Sequence, residues 1–255
     1  MNTLPETQPK KIRLTLAYDG TDFYGFQRQA GVGLPTIQES LETAIFRFTG
    51  KKATVEGSGR TDTGVHALGQ VVHFMSDNPI PPDKWRLALL QYLPDSIIIK
   101  ESSEAPPDFH ARFSAADKTY MYQYCQSPTP DPFLRRYSYH VPYGLDLPAM
   151  AEAAGYFTGS HDFRAFCASG SKVKSFVREI YDCALDADAP LIRLTVRGNG
   201  FLWHMVRIMA GTILEVGAGK RLPRDIPALI KAGDRRLAGV TLPARGLILG
   251  SVRYP

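Results

Sequence analysis

KIRLTLAY (Lys11–Tyr18) sets Ile12, Leu14 and Leu16 against Arg13 and Thr15, the alternation of a strand with one buried face. TIQESLETAIFRFTG (Thr36–Gly50) then changes the period. Ile37, Leu41, Ala44, Ile45 and Phe48 share one helical face, Thr36 and Glu39 have capping-box spacing, and Gly50 closes the helix. Working outward, the pattern predicts short strands around Lys52–Glu56 and Ala67–Met75, and a helix near Asp83–Tyr92 behind Pro81 and Pro82. A strand over SIIIK (Ser96–Lys100) follows.

The second half repeats that order. KTYMYQYC (Lys118–Cys125) is rich in β-favouring aromatics, and Pro148 suits the first turn of a helix running to about Phe157. Phe176–Asp186 and Leu191–Arg197 are predicted strands. Gly198, Asn199 and Gly200 make a turn before a helix over about Leu202–Val216. A short helix near Asp225–Ala232 precedes a last strand, Ile248–Tyr254. Two successive β-α-β-β-α-β units predict an α+β fold of two tandem split-βαβ halves, ferredoxin-like or RRM-like, with antiparallel sheets backed by helices. The expected halves are 11–105 and 106–255, joined in the stretch around Pro106 and Pro107. Sheets of this kind can present a face or cleft to RNA.

Composition narrows the function. The 255 residues are 44% hydrophobic and 22% charged, as in an ordinary globular protein. No apolar run approaches the ~20 residues of a membrane span. The start, MNTLPETQPKK, lacks the apolar core of a signal peptide and reads as a frayed tail, so the expected compartment is the cytoplasm. Cys125, Cys167 and Cys183 form no close pair, which argues against a disulfide framework or a Cys-rich zinc site and for three buried thiols. A net charge of +5 is modest evidence for a polyanionic partner. The basic residues come in pairs, Lys10-Lys11, Lys51-Lys52, Arg135-Arg136, Lys220-Arg221 and Arg235-Arg236, each of which alone reads as solvated surface rather than a contact. SHDFRAFCASGSKVKSFVREI (Ser160–Ile180) reads as a flexible surface segment.

The most unusual segment is EGSGRTDTGVHALGQ (Glu56–Gln70). Gly57, Gly59 and Gly64 let the backbone approach a ligand closely, with Arg60, Thr61, Asp62 and Thr63 crowded among them. A strand connection in which Asp62 makes an Asx-turn is the plain structural alternative. A phosphate loop fits poorly, because no Gly-Lys-Ser/Thr ending or following helix is present.

Gly57–Ala67 closely resembles the signature of the TruA family of tRNA pseudouridine synthases. The resemblance extends to YDGTDFYGFQRQ (Tyr18–Gln29), TIQESLE (Thr36–Glu42), FHARFSA (Phe109–Ala115) and KTYMY (Lys118–Tyr122). It continues through GSHDFRAF (Gly159–Phe166), GNGFLWHMVRIMAG (Gly198–Gly211) and ARGLILGSVRYP (Ala244–Pro255). It implies isomerisation of uridine to pseudouridine at positions 38, 39 and 40 in the anticodon stem-loop of tRNA, by a homodimer. Breaking the glycosidic C–N bond and rejoining uracil through C5 oxidises nothing and leaves the composition unchanged, the proton lost from C5 being matched by one gained at N1, so no cofactor and no metal are expected.

The resemblance also implies the site. Asp62 is the catalytic carboxylate, acting at C1′ as a nucleophile or removing the C2′ proton to give a glycal. Arg207, the Arg of HMVR in the second half, pairs with it across a cleft between the halves, because a carboxylate buried without a cation is driven neutral. A surface Arg paired along its helix is the alternative. Tyr120 packs on the target uracil, although Tyr122 and Tyr124 share its face and a purely structural sheet tyrosine is the alternative. Arg60 helps to extrude the nucleotide or holds a flanking phosphate, against the alternative of a loop salt bridge. His66 and His204 read as hydrogen-bonded histidines, not metal ligands. Two rival functions have different requirements. A non-catalytic RNA-binding module has no use for Asp62. A metal-dependent nucleotide hydrolase needs a divalent ion and further carboxylates.

Overall fold

The computed structural model describes residues 8–29 and 33–255; the expected frayed tail lies largely outside them, and Lys10 already belongs to the first strand. In chain order the elements are β1 (Lys10–Tyr18), α1 (Ile37–Thr49), β2 (Glu56–Gly57), β3 (His66–Ser76), α2 (Trp85–Leu90) and β4 (Ile97–Glu104). Then come β5 (Asp117–Gln126), β6 (Tyr139–Val141), α3 (Leu147–Gly155), β7 (Gly159–Asp162), β8 (Val177–Asp188) and β9 (Leu191–Gly198). The last are α4 (Met205–Gly217), α5 (Ile226–Ala232) and β10 (Leu247–Arg253). The fold is α+β, as the alternating periods predict.

The chain divides into two compact units, one of residues up to Ala116 with Leu249–Pro255, the other Asp117–Ile248. This corrects the boundary at 105/106 in both directions. The stretch 106–116 stays with the first unit because its backbone is bonded there. Ala111 N–H donates to His73 Nδ1 (3.2 Å), Lys11 Nζ donates to Phe109 O (2.7 Å), and Arg13 lies over the rings of Phe109 and Tyr254. The end of β10 stays there too, with Ala116 N–H donating to Arg253 O (2.8 Å) and Tyr254 Oη donating to Ala111 O (2.7 Å).

In the first unit β1 lies between β4 and β3, antiparallel to both, with Ile12 opposite Phe74, Leu14 opposite Val72 and Tyr18 opposite Ile97. The capping box is realised: Thr36 Oγ1 accepts from Glu39 N–H while Glu39 reaches back, and Gly50 ends α1 at φ 73°. Trp85 is fully buried, edge-on to Phe48 (5.6 Å) and Phe74 (5.0 Å), and ties both helices to the sheet. The predicted strand at 52–56 shrinks to Glu56–Gly57. Val55 N–H donates to Glu42 Oε1 (3.0 Å) and Val55 O accepts from Gln38 Nε2 (3.1 Å), so side chains of α1 take the groups a ladder would use.

In the second unit β9 lies between β5 and β8, antiparallel to both, β7 extends β8, and β6 adds parallel to β5. The helix expected from Leu202 starts at Met205, because His204 adopts the left-handed conformation (φ 60°) and breaks the turn before it. Ser160–Ile180 is not a loose surface segment throughout. Phe163, Ala165 and Phe166 are fully buried, and Phe157 packs edge-on against Phe166 at 5.0 Å. Replacing Trp85 by Ala removes the ring that joins α1, α2 and β3. We expect a loss of about 3–5 kcal/mol in equilibrium urea unfolding.

Candidate active site

The segment Ser58–Val65 connects β2 to β3 and carries Arg60 and Asp62. It is braced mainly by backbone. Phe26 N–H donates to Thr61 O (3.0 Å), and Val65 N–H donates to Asp62 O (3.1 Å) across a turn in which Gly64 has φ 76°. Two glycines admit the neighbouring chain. A Cβ on Gly20 would lie 2.0 Å from Val65 O, and one on Gly25, itself at φ 76°, would lie 2.6 Å from Thr61 O. Only glycine fits either position. Beneath the loop, Tyr18 Oη lies 2.8 Å from Thr61 Oγ1, and burial pushes the phenol up to about 12.

Asp62 is half-buried on this braced turn. Arg60 is exposed, and its Nε donates to Gln27 Oε1 (3.0 Å), so the guanidinium is anchored by a neutral amide. Nothing in the primary pattern singles out Gln27. His66 Nδ1 sits 3.1 Å from both Gly20 N and Asp19 Oδ1, accepting from the first or donating to the second according to its tautomer. That makes His66 a fastener of the Asp19–Gly20 turn, as the hydrogen-bonding reading expects.

In the second unit Tyr120 sits on β5 opposite Val196, buried, its ring edge-on to Phe201 at 5.0 Å. Sequence could not separate it from Tyr122 and Tyr124; the hydroxyls of those two have identified partners inside the second unit. Tyr122 Oη donates to Pro243 O and Tyr124 Oη to Ala210 O, each at 2.9 Å, and burial raises both phenols. Those two are committed to the core of their unit.

Arg207 lies in the first turn of α4, half-buried, where a cation works against the helix dipole. Its position is set by a strap, residues 239–242. Gly211 has no room for a Cβ, which would stand 1.9 Å from Val240 O, and Thr212 Oγ1 accepts from Gly239 N–H (2.9 Å). The strap thereby delivers Leu242 O to Arg207 Nε at 2.7 Å and orients the guanidinium plane. Gly211 and Gly239 were the sequence signal for this brace, but two glycines without spacing or motif do not reveal it.

Four residues of the basic pairs are matched to acids. Lys10 pairs with Glu104, Lys51 with Asp77, Arg221 with Glu215 and Arg236 with Asp234. One cluster that sequence missed has metal-like spacing: Glu56, His73 and His110. Its hydrogen bonds oppose ligation. His73 Nδ1 accepts from Ala111 N–H, and His110 Nδ1 accepts from Arg112 N–H (3.1 Å), which leaves each neutral ring's proton on Nε2. His110 Nε2 accordingly donates to Glu56 Oε2 at 2.9 Å. Cys125, Cys167 and Cys183 are buried free thiols, as expected.

A carboxylate on a rigid turn suits attack or proton abstraction. A family model described as tRNA pseudouridine synthase matches residues 15–114 and 153–255. The chain is 46% identical over 243 residues to tRNA pseudouridine synthase A of Moorella thermoacetica, covering 95% of this chain and 99% of that one. It is 47% identical over 245 residues to the protein of that name from Brevibacillus brevis, covering 96% and 100%, and 47% identical over 246 residues to that of Ruminiclostridium cellulolyticum, with the same coverage. The class is that of isomerases acting on uridine in RNA. The chain belongs to the tRNA pseudouridine synthase family.

Two outcomes follow. Gly211→Val forces the strap off α4, and we expect thermal unfolding to show a loss of about 1–3 kcal/mol. His73 has its pKa lowered, chiefly by burial, so the unfolded chain takes up a proton that the folded one resists. Its contribution to stability is therefore full above ~6.5 and declines as pH falls from there towards the folded value. Urea midpoints measured from pH 8 to pH 5 should fall less steeply in His73→Asn than in the unaltered protein.

Proposed function

We propose that this protein converts uridine to pseudouridine at positions 38, 39 and 40 of the tRNA anticodon stem-loop, without cofactor or metal, as a cytoplasmic homodimer. The observation that carries the reading is the braced turn presenting Asp62, on a chain whose family performs this isomerisation. Asp62 acts at the sugar, either by attack on C1′ or by removing the C2′ proton. Arg207 is its counter-ion: a half-buried arginine oriented through Nε by Leu242 is suited to offer its terminal nitrogens to a carboxylate. Tyr120 stacks on the uracil, an aromatic contact worth ~1–3 kcal/mol per base. Arg60, exposed beside Asp62, aids extrusion of the nucleotide or grips a flanking phosphate. The first unit on this reading carries the catalytic loop, and the second completes the site.

Pairing basic surfaces in a dimer also answers the modest charge. A monomer of +5, with several of its basic pairs already matched to acids, has limited attraction for RNA, and two copies pool it.

Tritium release from tRNA transcripts bearing 5-tritiated uridine tests the reading. In EDTA the unaltered protein should release tritium at full rate, and Asp62→Asn should lower the rate on the order of 10³-fold or more while still binding tRNA. Binding without release by the unaltered protein would favour a non-catalytic RNA-binding module. Loss of release in EDTA, restored by magnesium, would favour a metal-dependent enzyme. Substrate deuterated at C2′ separates the two routes, since only glycal formation breaks that bond and should slow.

A further inference from the structure

Four polar side chains lie almost wholly out of water directly under the Arg60–Asp62 loop. Ser58 and Gln70 are 0% exposed, Tyr18 5% and Thr61 7%. Ser58 Oγ donates to Gln70 Oε1 (2.6 Å), Gln70 Nε2 donates to Gly59 O (2.9 Å), and Tyr18 Oη bonds Thr61 Oγ1 (2.8 Å). The side chain of Gln70 also bonds the Tyr18 hydroxyl, which joins the two halves of the network. Two of its contacts fall on the loop itself, at Gly59 and Thr61, one on each side of Arg60 and the second immediately before Asp62.

Stability alone does not require such a network. Apolar side chains of similar volume would fill the same space, whereas a buried polar group must find every partner or lose a full desolvation penalty. What the network adds is direction: hydrogen bonds fix the angle of the loop where packing would only fix its position. We propose that Tyr18 and Gln70 are positioning residues for the isomerisation, which set the aim of Asp62 and Arg60 through Thr61 and the Gly59 carbonyl. The proposal rests on the roles given above to Asp62 and Arg60. Neither Tyr18 nor Gln70 touches the reacting atoms in this scheme; each acts through the loop backbone. Burial raises the Tyr18 phenol to about 12, so the hydroxyl stays protonated at neutral pH.

The test uses Tyr18→Phe and Gln70→Leu, which delete the bonds at nearly constant volume, with tritium release measured at varied tRNA concentration alongside thermal unfolding. A misaimed reacting group costs up to ~100-fold per ångström, so kcat should fall by about tenfold or more, with KM for tRNA unchanged. In Thr61→Val kcat should fall likewise, and in Thr61→Ser, which keeps the hydroxyl, most of it should return. That pair carries the test should Gln70→Leu fail to fold. A lowered unfolding temperature with undiminished kcat would overturn the proposal and leave the network a stabilising device. A raised KM at full kcat would also overturn it, by assigning the network to binding. Asp62→Asn in the same assay separates the two failures. If that variant is inactive while Tyr18→Phe runs at full rate, positioning alone fails; if it is active, the role of Asp62 fails and the positioning proposal with it.

Discussion

The contact of one backbone with another at Gly25 and Thr61 is the constraint on which the carboxylate loop depends. Thr61 O lies only 2.6 Å from where a Cβ on Gly25 would be, and Phe26 N–H donates to that carbonyl. No side chain can replace such a contact, because it exists through the absence of one. The segment Gly25–Arg28 in turn hangs from α1. Ile37 N–H donates to Gly25 O (3.2 Å), Gln38 N–H to Phe26 O (2.9 Å), and Gln38 Oε1 accepts from Arg28 N–H (2.9 Å). Glu42 pairs with Arg28 and bonds Gln38 and Val55, so one turn of α1 governs both the Gly25–Arg28 segment and the approach to β2. The capping box at Thr36, which starts this helix, is therefore also the first link in placing Asp62.

The second unit uses the same device on a different element. Gly211 and Gly239 let residues 239–242 lie against α4 at backbone distance, and the carbonyl of Leu242 reaches Arg207. The helix dipole disfavours a cation in this first turn by roughly 0.3–1 kcal/mol, so a purely structural cation would be better placed elsewhere. The left-handed His204 just before it stops α4 from starting sooner, which keeps Arg207 in the first turn rather than the second. The left-handed backbone is at His204 and the adverse dipole at Arg207, so this helix start is not arranged for stability alone.

Much of this was legible in the sequence. Alternation in Lys11–Tyr18, the capping box at Thr36 and Glu39, and the aromatic run at Lys118–Cys125 each state a local preference that the fold satisfies, and the α+β class follows from their order. The proposals for Asp62, Arg60, Tyr120 and Arg207 rest on the family resemblance, since composition and spacing left an Asx-turn or a sheet tyrosine standing. The errors have a shared cause. Val55 failed as a strand residue because side chains of α1 captured its backbone groups, and 106–116 joined the first unit because His73 and Lys11 captured its own. Captures of backbone by distant side chains leave no periodic trace. Phe163 and Phe166 were missed for a different reason: two buried rings inside a Ser/Lys/Gly-rich stretch are outvoted by their neighbours in any window average.

Each proposed reacting group is thus braced within its own unit, Asp62 by residues 18–26 and Gln70, Arg207 by residues 239–242. Each brace is built mainly of backbone groups and neutral side chains, not of the charge it holds. Removing a carboxylate or a guanidinium therefore leaves its loop or helix turn in place, apart from whatever that charge itself contributed. Sites built in this way give substitutions whose kinetic effect reads as chemistry rather than as loss of structure. The converse also holds: glycines 20, 25 and 211, which touch no substrate in any scheme considered, are positions where a single added methyl would displace the reacting groups.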